Sequence, residues 1–371
     1  MTMALRPEDE NFMAAAIRLS RQHLGLTSTN PSVGCLIVKD GVIIGSGVTA
    51  LGGRPHAEPQ ALAEAGEGAR GATAYVTLEP CSHYGKTPPC AEALIAYGVA
   101  RVVISVTDPD QRVSGRGITM LREAGIEVDT GVLEMEGRRS LAGYLMRQTR
   151  NRPYVTLKLA ISADGMIGKT GAGQVCITGD AARAEVQMLR AESDAILVGI
   201  GTAIADDPEL TCRIPGMEDR TPLRIVIDDE LQLPLGSKLV RTARQYPVIA
   251  VAGHPPPFDE NTDAAFLGRR AALDAAGVEV LQSNSSEPGE LLEALGTRGI
   301  SSLLVEGGAK TARRFLDAGM VDRILLFQGP AEIGEGGIES PVLKSNIPAD
   351  FIHVGQSRFG DDLCDEYERG F

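Results

Sequence analysis

At 371 residues the chain is longer than one hydrophobic core usually grows, so two domains are expected. A formal net charge of −13 sets most of the surface against a phosphate backbone, which argues against nucleic-acid partners. No apolar run approaches the roughly 18 residues of a membrane span, and Met1 to Pro7 lacks the apolar segment of a secretory leader, so a cytoplasmic protein without membrane partners is expected.

The first half alternates helix and strand signals. Glu8 to His23 carries apolar positions at helical spacing, with Pro7 suited to the first turn. Gly34 to Lys39 and Val42 to Val48 read as strands joined by Asp40-Gly41, a pair that accepts the positive φ of a tight hairpin. A helix follows over Ala57 to Ala65, a strand over Ala74 to Leu78 and a helix over Pro88 to Tyr97. The strand Arg101 to Val106, the helix Arg116 to Ala124 and the strand Glu127 to Thr130 continue the alternation. The polar segment Arg147 to Pro153 marks a boundary, which gives domains 1–148 and 149–371. Beyond it, strands are predicted at Tyr154–Ala160, Ala195–Gly199, Leu223–Ile227, Val248–Ala252, Ser302–Glu306 and Ile324–Gln328. Helices at Asp180–Ala191 and Lys310–Ala318 lie between them. Both halves are therefore α/β, in keeping with 43 glycines concentrated at short connections, and no internal repeat relates them.

The six cysteines (Cys35, Cys81, Cys90, Cys176, Cys212 and Cys364) read as thiols or metal ligands rather than disulfides. Cys35, within a predicted strand, reads as a buried thiol. The sharpest signal is His56-Ala57-Glu58 together with Glu79-Pro80-Cys81 and Pro88-Pro89-Cys90. A catalytic zinc takes three protein ligands and leaves one position open. His56, Cys81 and Cys90 supply an imidazole and two thiolates, a set that suits zinc among divalent metals. His56 precedes one predicted helix and Cys90 opens another, where the helix dipole favours thiolate over thiol. Glu58, two residues beyond His56, is placed to move protons without ligating the metal. A closed structural site, with His83 as fourth ligand, is the alternative, but it has no use for Glu58.

The usual zinc-deaminase signature is H-x-E followed by P-C-x-x-C. Here the eight residues Ser82 to Pro89 separate the cysteines. The whole run Glu79 to Cys90 resembles the bifunctional deaminase–reductase family of riboflavin biosynthesis. The resemblance implies a cytidine-deaminase-like α/β/α domain followed by a dihydrofolate-reductase-like α/β domain, with zinc and NADPH as cofactors. It places His83 near substrate. It makes Asn30-Pro31-Ser32-Val33-Gly34-Cys35 a substrate loop in which Asn30 bonds the pyrimidine. Asp108-Pro109 and Gly115-Arg116-Gly117 resemble a loop that contacts the ribose phosphate. Thr49 and Gln60 depart from the family, which often carries histidine at both positions.

The second half has no Gly-x-Gly-x-x-Gly after a strand. It has instead Leu303-Leu304-Val305-Glu306, then Gly307-Gly308, then a helix, a turn that lets backbone N–H groups approach a phosphate. With Leu157-Lys158-Leu159-Ala160, Gly201-Thr202, Ala205 to Thr211 and Ile225 to Asp228, this turn resembles the reductase half of the same family. By that resemblance Ala160, Cys176, Thr202, Asp206, Asp229 and the stretch Gly308, Ala309, Lys310, Thr311, Ala312, Arg313 and Arg314 line the NADPH site. Cys176 stands where relatives usually carry tryptophan. Gln174, Arg190, Leu210, Arg213 and Glu306 would contact substrate, the arginines matching its phosphate. Lys158 is the candidate proton donor.

The implied reactions are sequential. Water replaces the C2 amine of a diaminopyrimidinone ribosylamine 5′-phosphate, and NADPH then reduces the ribosyl C1′ to give a ribityl chain. Two rivals remain open at this point: a nucleoside or RNA deaminase with an inert second domain, and a zinc-stabilised nucleotide-binding regulator. A homo-oligomer, dimer or tetramer, is implied by the resemblance alone.

Overall fold

The computed structural model describes residues 6–85, 87–110, 114–253, 260–284 and 287–370. The chain forms two compact units, Met1–Asn151 and Arg152–Phe371. The polar segment that suggested a boundary is not a linker throughout, because its first residues form the last turn of a helix, Ala142–Arg150. That helix closes on Asn151 in the left-handed conformation.

In the first unit, strands β1 (Gly34–Lys39), β2 (Val42–Val48), β3 (Thr73–Leu78), β4 (Arg101–Val106) and β5 (Glu127–Thr130) form one sheet in the order β2-β1-β3-β4-β5. Its helices are α1 (Asp9–Ser20), α2 (Ala57–Ala65), α3 (Cys90–Tyr97), α4 (Arg116–Glu123), α5 (Glu134–Ser140) and α6 (Ala142–Arg150). The hairpin forms at Asp40-Gly41, both at positive φ as expected. Alternation along β1 explains the three layers. Cys35 and Ile37 point into a core shared with α2, α3 and α4, while Leu36 and Val38 face Met13, Ala16 and Ile17 of α1. Cys35 is a fully buried strand thiol. Gly47 sets how closely α2 approaches the sheet: a Cβ there would lie 2.1 Å from the Ala57 carbonyl oxygen, so its absence lets the start of α2 sit directly on β2.

The second unit contains β6 (Tyr154–Ile161), β7 (Met166–Lys169), β8 (Ala195–Gly199), β9 (Leu223–Ile227), β10 (Val248–Ala252) and β11 (Glu279–Gln282). It continues with β12 (Ser302–Val305), β13 (Arg323–Gln328), β14 (Gly337–Glu339), β15 (Phe351–Phe359) and β16 (Asp362–Arg369). Nine of these strands form a sheet in the order β11-β10-β9-β8-β12-β6-β13-β16-β15. It is parallel from β11 to β13, and β16 and β15 extend it antiparallel. Helices α7 (Asp180–Ala191), α8 (Ile200–Asp206), α9 (Lys238–Arg241), α10 (Glu260–Ala276), α11 (Pro288–Thr297) and α12 (Ala309–Asp317) lie in the connections. The inner strands are apolar on both faces because each face carries its own core. The predicted inner strands are recovered to within a residue or two, and the mixed α/β class holds in both units. Among the described residues no helix is long and apolar enough to cross a membrane.

Candidate active sites

The first site is built where α2, α3 and the end of β3 meet. His56 is the N-cap of α2, in extended backbone, and Glu58 lies in the first turn with 4% exposure. Cys90 is the first residue of α3, and its N–H donates to Cys81 Sγ at 3.3 Å. His56 Nδ1 stands 3.3 Å from Cys90 Sγ and 3.7 Å from Cys81 Sγ. A tetrahedral zinc with Zn–N of about 2.0 Å and Zn–S of about 2.3 Å needs N···S edges of roughly 3.5 Å. The donor atoms all lie within 4.8 Å of one another, and His83 is outside this group. The cluster therefore fits a zinc held by three ligands, with a coordination position to spare, rather than a closed structural site.

Electrostatics support a cation here. A hydrogen bond from Cys90, helped by His56, pulls the Cys81 thiol down to about 4. The Cys90 thiol moves the other way, raised by its bond to Cys81, by burial and by the charge of Glu58. A bound cation would displace that proton. His56 is raised by its hydrogen bond to Cys81. Burial, then the Cys81 charge, pushes Glu58 up, which suits a group that takes and returns a proton.

Glu79, 3% exposed, organises the neighbouring loop, a role that its place in the Glu79-Pro80-Cys81 motif does not reveal. Its Oε2 accepts the N–H groups of Asp108 and Gly115, and its Oε1 those of Gly117 and Ile118, at 3.0–3.4 Å. Arg116 is thereby presented at the start of α4, where it lines a cavity of about 330 Å³ with Ser82, His83, Thr119 and Met120. Asn30 packs against Gly53, where a Cβ would lie 2.3 Å from Asn30 Nδ2. Thr49 and Gln60 both act as structural pins. Thr49 Oγ1 accepts the Val33 N–H, and Gln60 Nε2 donates to the carbonyls of Val48, Pro55 and His56. Lys86, inside the motif run, lies outside the described residues.

The second site is a cavity of about 920 Å³ beside the C-terminal ends of β6, β8 and β12, where open α/β sheets place their ligands. Of the residues singled out in the sequence, it brings together Lys158, Ala160, Gln174, Cys176, Arg190, Thr202, Asp206, Arg213, Glu306, Gly308 and Ala309. The turn is glycine-rich for steric reasons. A Cβ on Gly307 would meet Thr311 Cβ at 2.8 Å, and the Gly308 N–H donates to Thr202 Oγ1 at 3.0 Å. Inside the cavity Glu306 accepts a bidentate pair from Arg190, Nε to Oε1 at 2.8 Å and Nη2 to Oε2 at 2.9 Å. Burial opposes ionisation of Glu306, but Arg190 and Lys158 hold its carboxyl below the usual range. Burial lowers Lys158, with Arg190 acting in the same direction and Glu306 against it.

Several expected contacts are not on this cavity. Leu210 is 2% exposed and packs in the core, so its side chain is corrected from ligand contact to packing. Ala312 and Thr311 are likewise buried, because they form the inner face of α12. Lys310 and Arg313 are exposed on that helix and Arg314 is half-buried, none of them lining the cavity. Asp229 lies against Gly253 beyond β9. Arg190 does line the cavity, but as a buried partner of Glu306 and the Thr211 carbonyl rather than a free cation.

Two family profiles match the chain. One, described as the RibD C-terminal domain, covers residues 153–364, and the other, the cytidine and deoxycytidylate deaminase zinc-binding region, covers residues 6–106. The riboflavin biosynthesis protein RibD of Aquifex aeolicus is 42% identical over 90% of both chains. RibD of Escherichia coli is 39% identical over 96% of this chain and 98% of its own. Among solved structures, a diaminohydroxyphosphoribosylaminopyrimidine deaminase/5-amino-6-(5-phosphoribosylamino)uracil reductase from Thermotoga maritima superposes with a TM-score of 0.83. It is 34% identical and matches 98% of this chain and 99% of that one.

Proposed function

The chain belongs to the RibD family of riboflavin-biosynthesis proteins, and on that premise we propose that residues 1–148 carry its deamination and residues 149–371 its reduction. The observation that carries this reading is the three-ligand cluster beside a buried Glu58, on the same chain as a second cavity holding Lys158 and Glu306. His56, Cys81 and Cys90 would hold a zinc ion, whose chemistry would be to make a water nucleophilic near neutral pH. Glu58 takes a proton from the attacking water and returns one to the departing ammonia, so the C2 amine becomes a carbonyl. Asn30 orients the pyrimidine, and His83 and Arg116 bind the other end of the ribosylamine phosphate.

The deaminated aminouracil then enters the second site. The wall formed by Ala160, Thr202 and Gly308 would hold NADPH, whose chemistry would be hydride donation to the ribosyl C1′. Lys158 supplies the proton, and the Arg190–Glu306 pair keeps Glu306 ionised next to it. Gln174 and Arg213 complete the substrate side, with Arg213 the more available cation for phosphate since Arg190 is committed. On the cofactor side, Ala160, Cys176, Thr202, Asp206, Gly308 and Ala309 form the wall. Assembly as a dimer or tetramer and a cytoplasmic location complete the proposal, and sedimentation and fractionation check them.

The test is NADPH oxidation by the full chain given the diaminopyrimidinone ribosylamine phosphate, for wild type and Glu58→Ala. We expect consumption by wild type, none by the variant, and recovery when the variant receives the deaminated compound. Ammonia release without NADPH oxidation would overturn the reductase assignment. Neither activity from a zinc-loaded protein would overturn the substrate.

A further inference from the structure

We propose that helix α6 holds the two substrate loops of the first site, with Tyr144 and Arg147 as positioning residues for deamination. The proposal rests on the deaminase reading above and adds residues that reading does not use. Tyr144 and Arg147 are three residues apart, so they project from one side of the helix. Tyr144 Oη is 3.0 Å from both Oδ1 and Oδ2 of Asp108 and donates its proton to that carboxylate. Arg147 Nη2 donates to the carbonyl oxygen of Thr29. Thr29 adjoins Asn30 in one substrate loop, and Asp108 opens the other, which leads to Arg116.

The helix is itself well anchored. Leu141 and Leu145 are buried in the core that also contains Ala57 and Ala91, the neighbours of His56 and Cys90. The helix end is closed by Asn151, whose N–H donates to the Arg147 carbonyl at 3.0 Å. A helix seated on the core therefore reaches both Thr29 and Asp108, neither of which lies in a helix or strand. Asp108 is 5% exposed, and besides Tyr144 its carboxylate accepts the Asp110 N–H at 2.9 Å. Removing the Tyr144 hydroxyl leaves a buried carboxylate short of a donor, and the loop must shift to rehydrate it. The zinc ligands and Glu58 belong to α2, α3 and the end of β3 instead. Loss of the α6 contacts should thus weaken substrate binding and spare the chemical step.

The test compares ammonia release by the full-length zinc protein carrying Tyr144→Phe, Arg147→Ala or Arg147→Lys. The substrate is the diaminopyrimidinone ribosylamine phosphate. Tyr144→Phe and Arg147→Ala should each raise KM about tenfold, the loss typical of a hydrogen bond to a charged group, with kcat within about threefold of wild type. Arg147→Lys keeps a donor for the Thr29 carbonyl and should recover most of the loss. Zinc content and NADPH oxidation with the deaminated compound should match wild type in all three. Unchanged KM in Tyr144→Phe and Arg147→Ala would overturn the proposal. So would a joint fall in kcat, zinc content and NADPH oxidation, because that pattern reports general unfolding. Failure of the deaminase reading would appear in wild type itself, as absent ammonia release, and so is distinguishable.

Discussion

The two sites solve the problem of buried charge in different ways. In the first, two thiols, an imidazole and a carboxyl crowd together with only the imidazole able to carry positive charge, so burial and mutual repulsion raise Glu58 and Cys90. That cluster is complete only with a cation. In the second, Arg190 pairs directly with Glu306 and Lys158 adds a further positive charge, so the buried carboxylate is compensated from within the chain before any ligand arrives. One site borrows its positive charge, whereas the other carries its own.

The contrast can be broken most directly by removing metal. Chelation should abolish ammonia release while NADPH oxidation with the deaminated compound continues at the wild-type rate. A parallel loss of both would mean that the second unit also depends on the metal. Next in size is Glu58→Ala, expected to slow deamination by about 10²–10⁴-fold, the usual contribution of a positioned acid–base group, with zinc content preserved. Steady-state ammonia release and metal analysis check this.

The self-balanced site predicts a stability effect that the metal site does not. Glu306→Gln leaves Arg190 buried without its counter-charge and should destabilise the second unit by about 3 kcal/mol, read from denaturant unfolding. The sign with pH follows from Glu306 being depressed in the folded state. Its stabilisation is fully present above the unfolded carboxylate value near about 4.3 and is lost as pH falls through the lower folded value. Wild type should therefore lose stability on acidification through that window, and Glu306→Gln should lack this component.

Lys158 sharpens the comparison on the alkaline side. Its pKa is lowered, so its proton is lost at a lower pH than an ordinary lysine loses it, and the reduction rate should fall before about pH 10.4. Lys158→Arg, which stays protonated, should remove that limb from the pH profile even if the rate is reduced. The smallest effect is expected at Cys176, exposed on the cavity wall. Cys176→Trp adds an aromatic face and should lower the KM for NADPH by about two- to tenfold.

Legibility in the sequence differed between the two sites for a physical reason. His56 and Glu58 share the start of α2, Cys90 opens α3 and Cys81 follows β3, so short motifs at element ends present the donor atoms that the fold then gathers into one cluster. The elements were equally readable, because β1 alternates between two cores and Asp40-Gly41 can form its turn. In the second unit the cavity residues run from Lys158 to Ile338, brought together by a sheet whose strand order is not the chain order. Spacing could not tell that Leu210 and Ala312 face the core, or that Arg190 is already paired.

By itself, then, the sequence determined two α/β units, the short His56-Ala57-Glu58 and Pro88-Pro89-Cys90 motifs behind the proposed zinc site, and the glycine turn after β12, since each of these depends on neighbours within a few residues. Only the tertiary structure decided the charge balance of the Lys158–Arg190–Glu306 cluster, the grip of Glu79 on the loop to Ile118, and the reach of α6 to Thr29 and Asp108. Those depend on which distant backbones approach, and long-range packing rather than local propensity sets that approach.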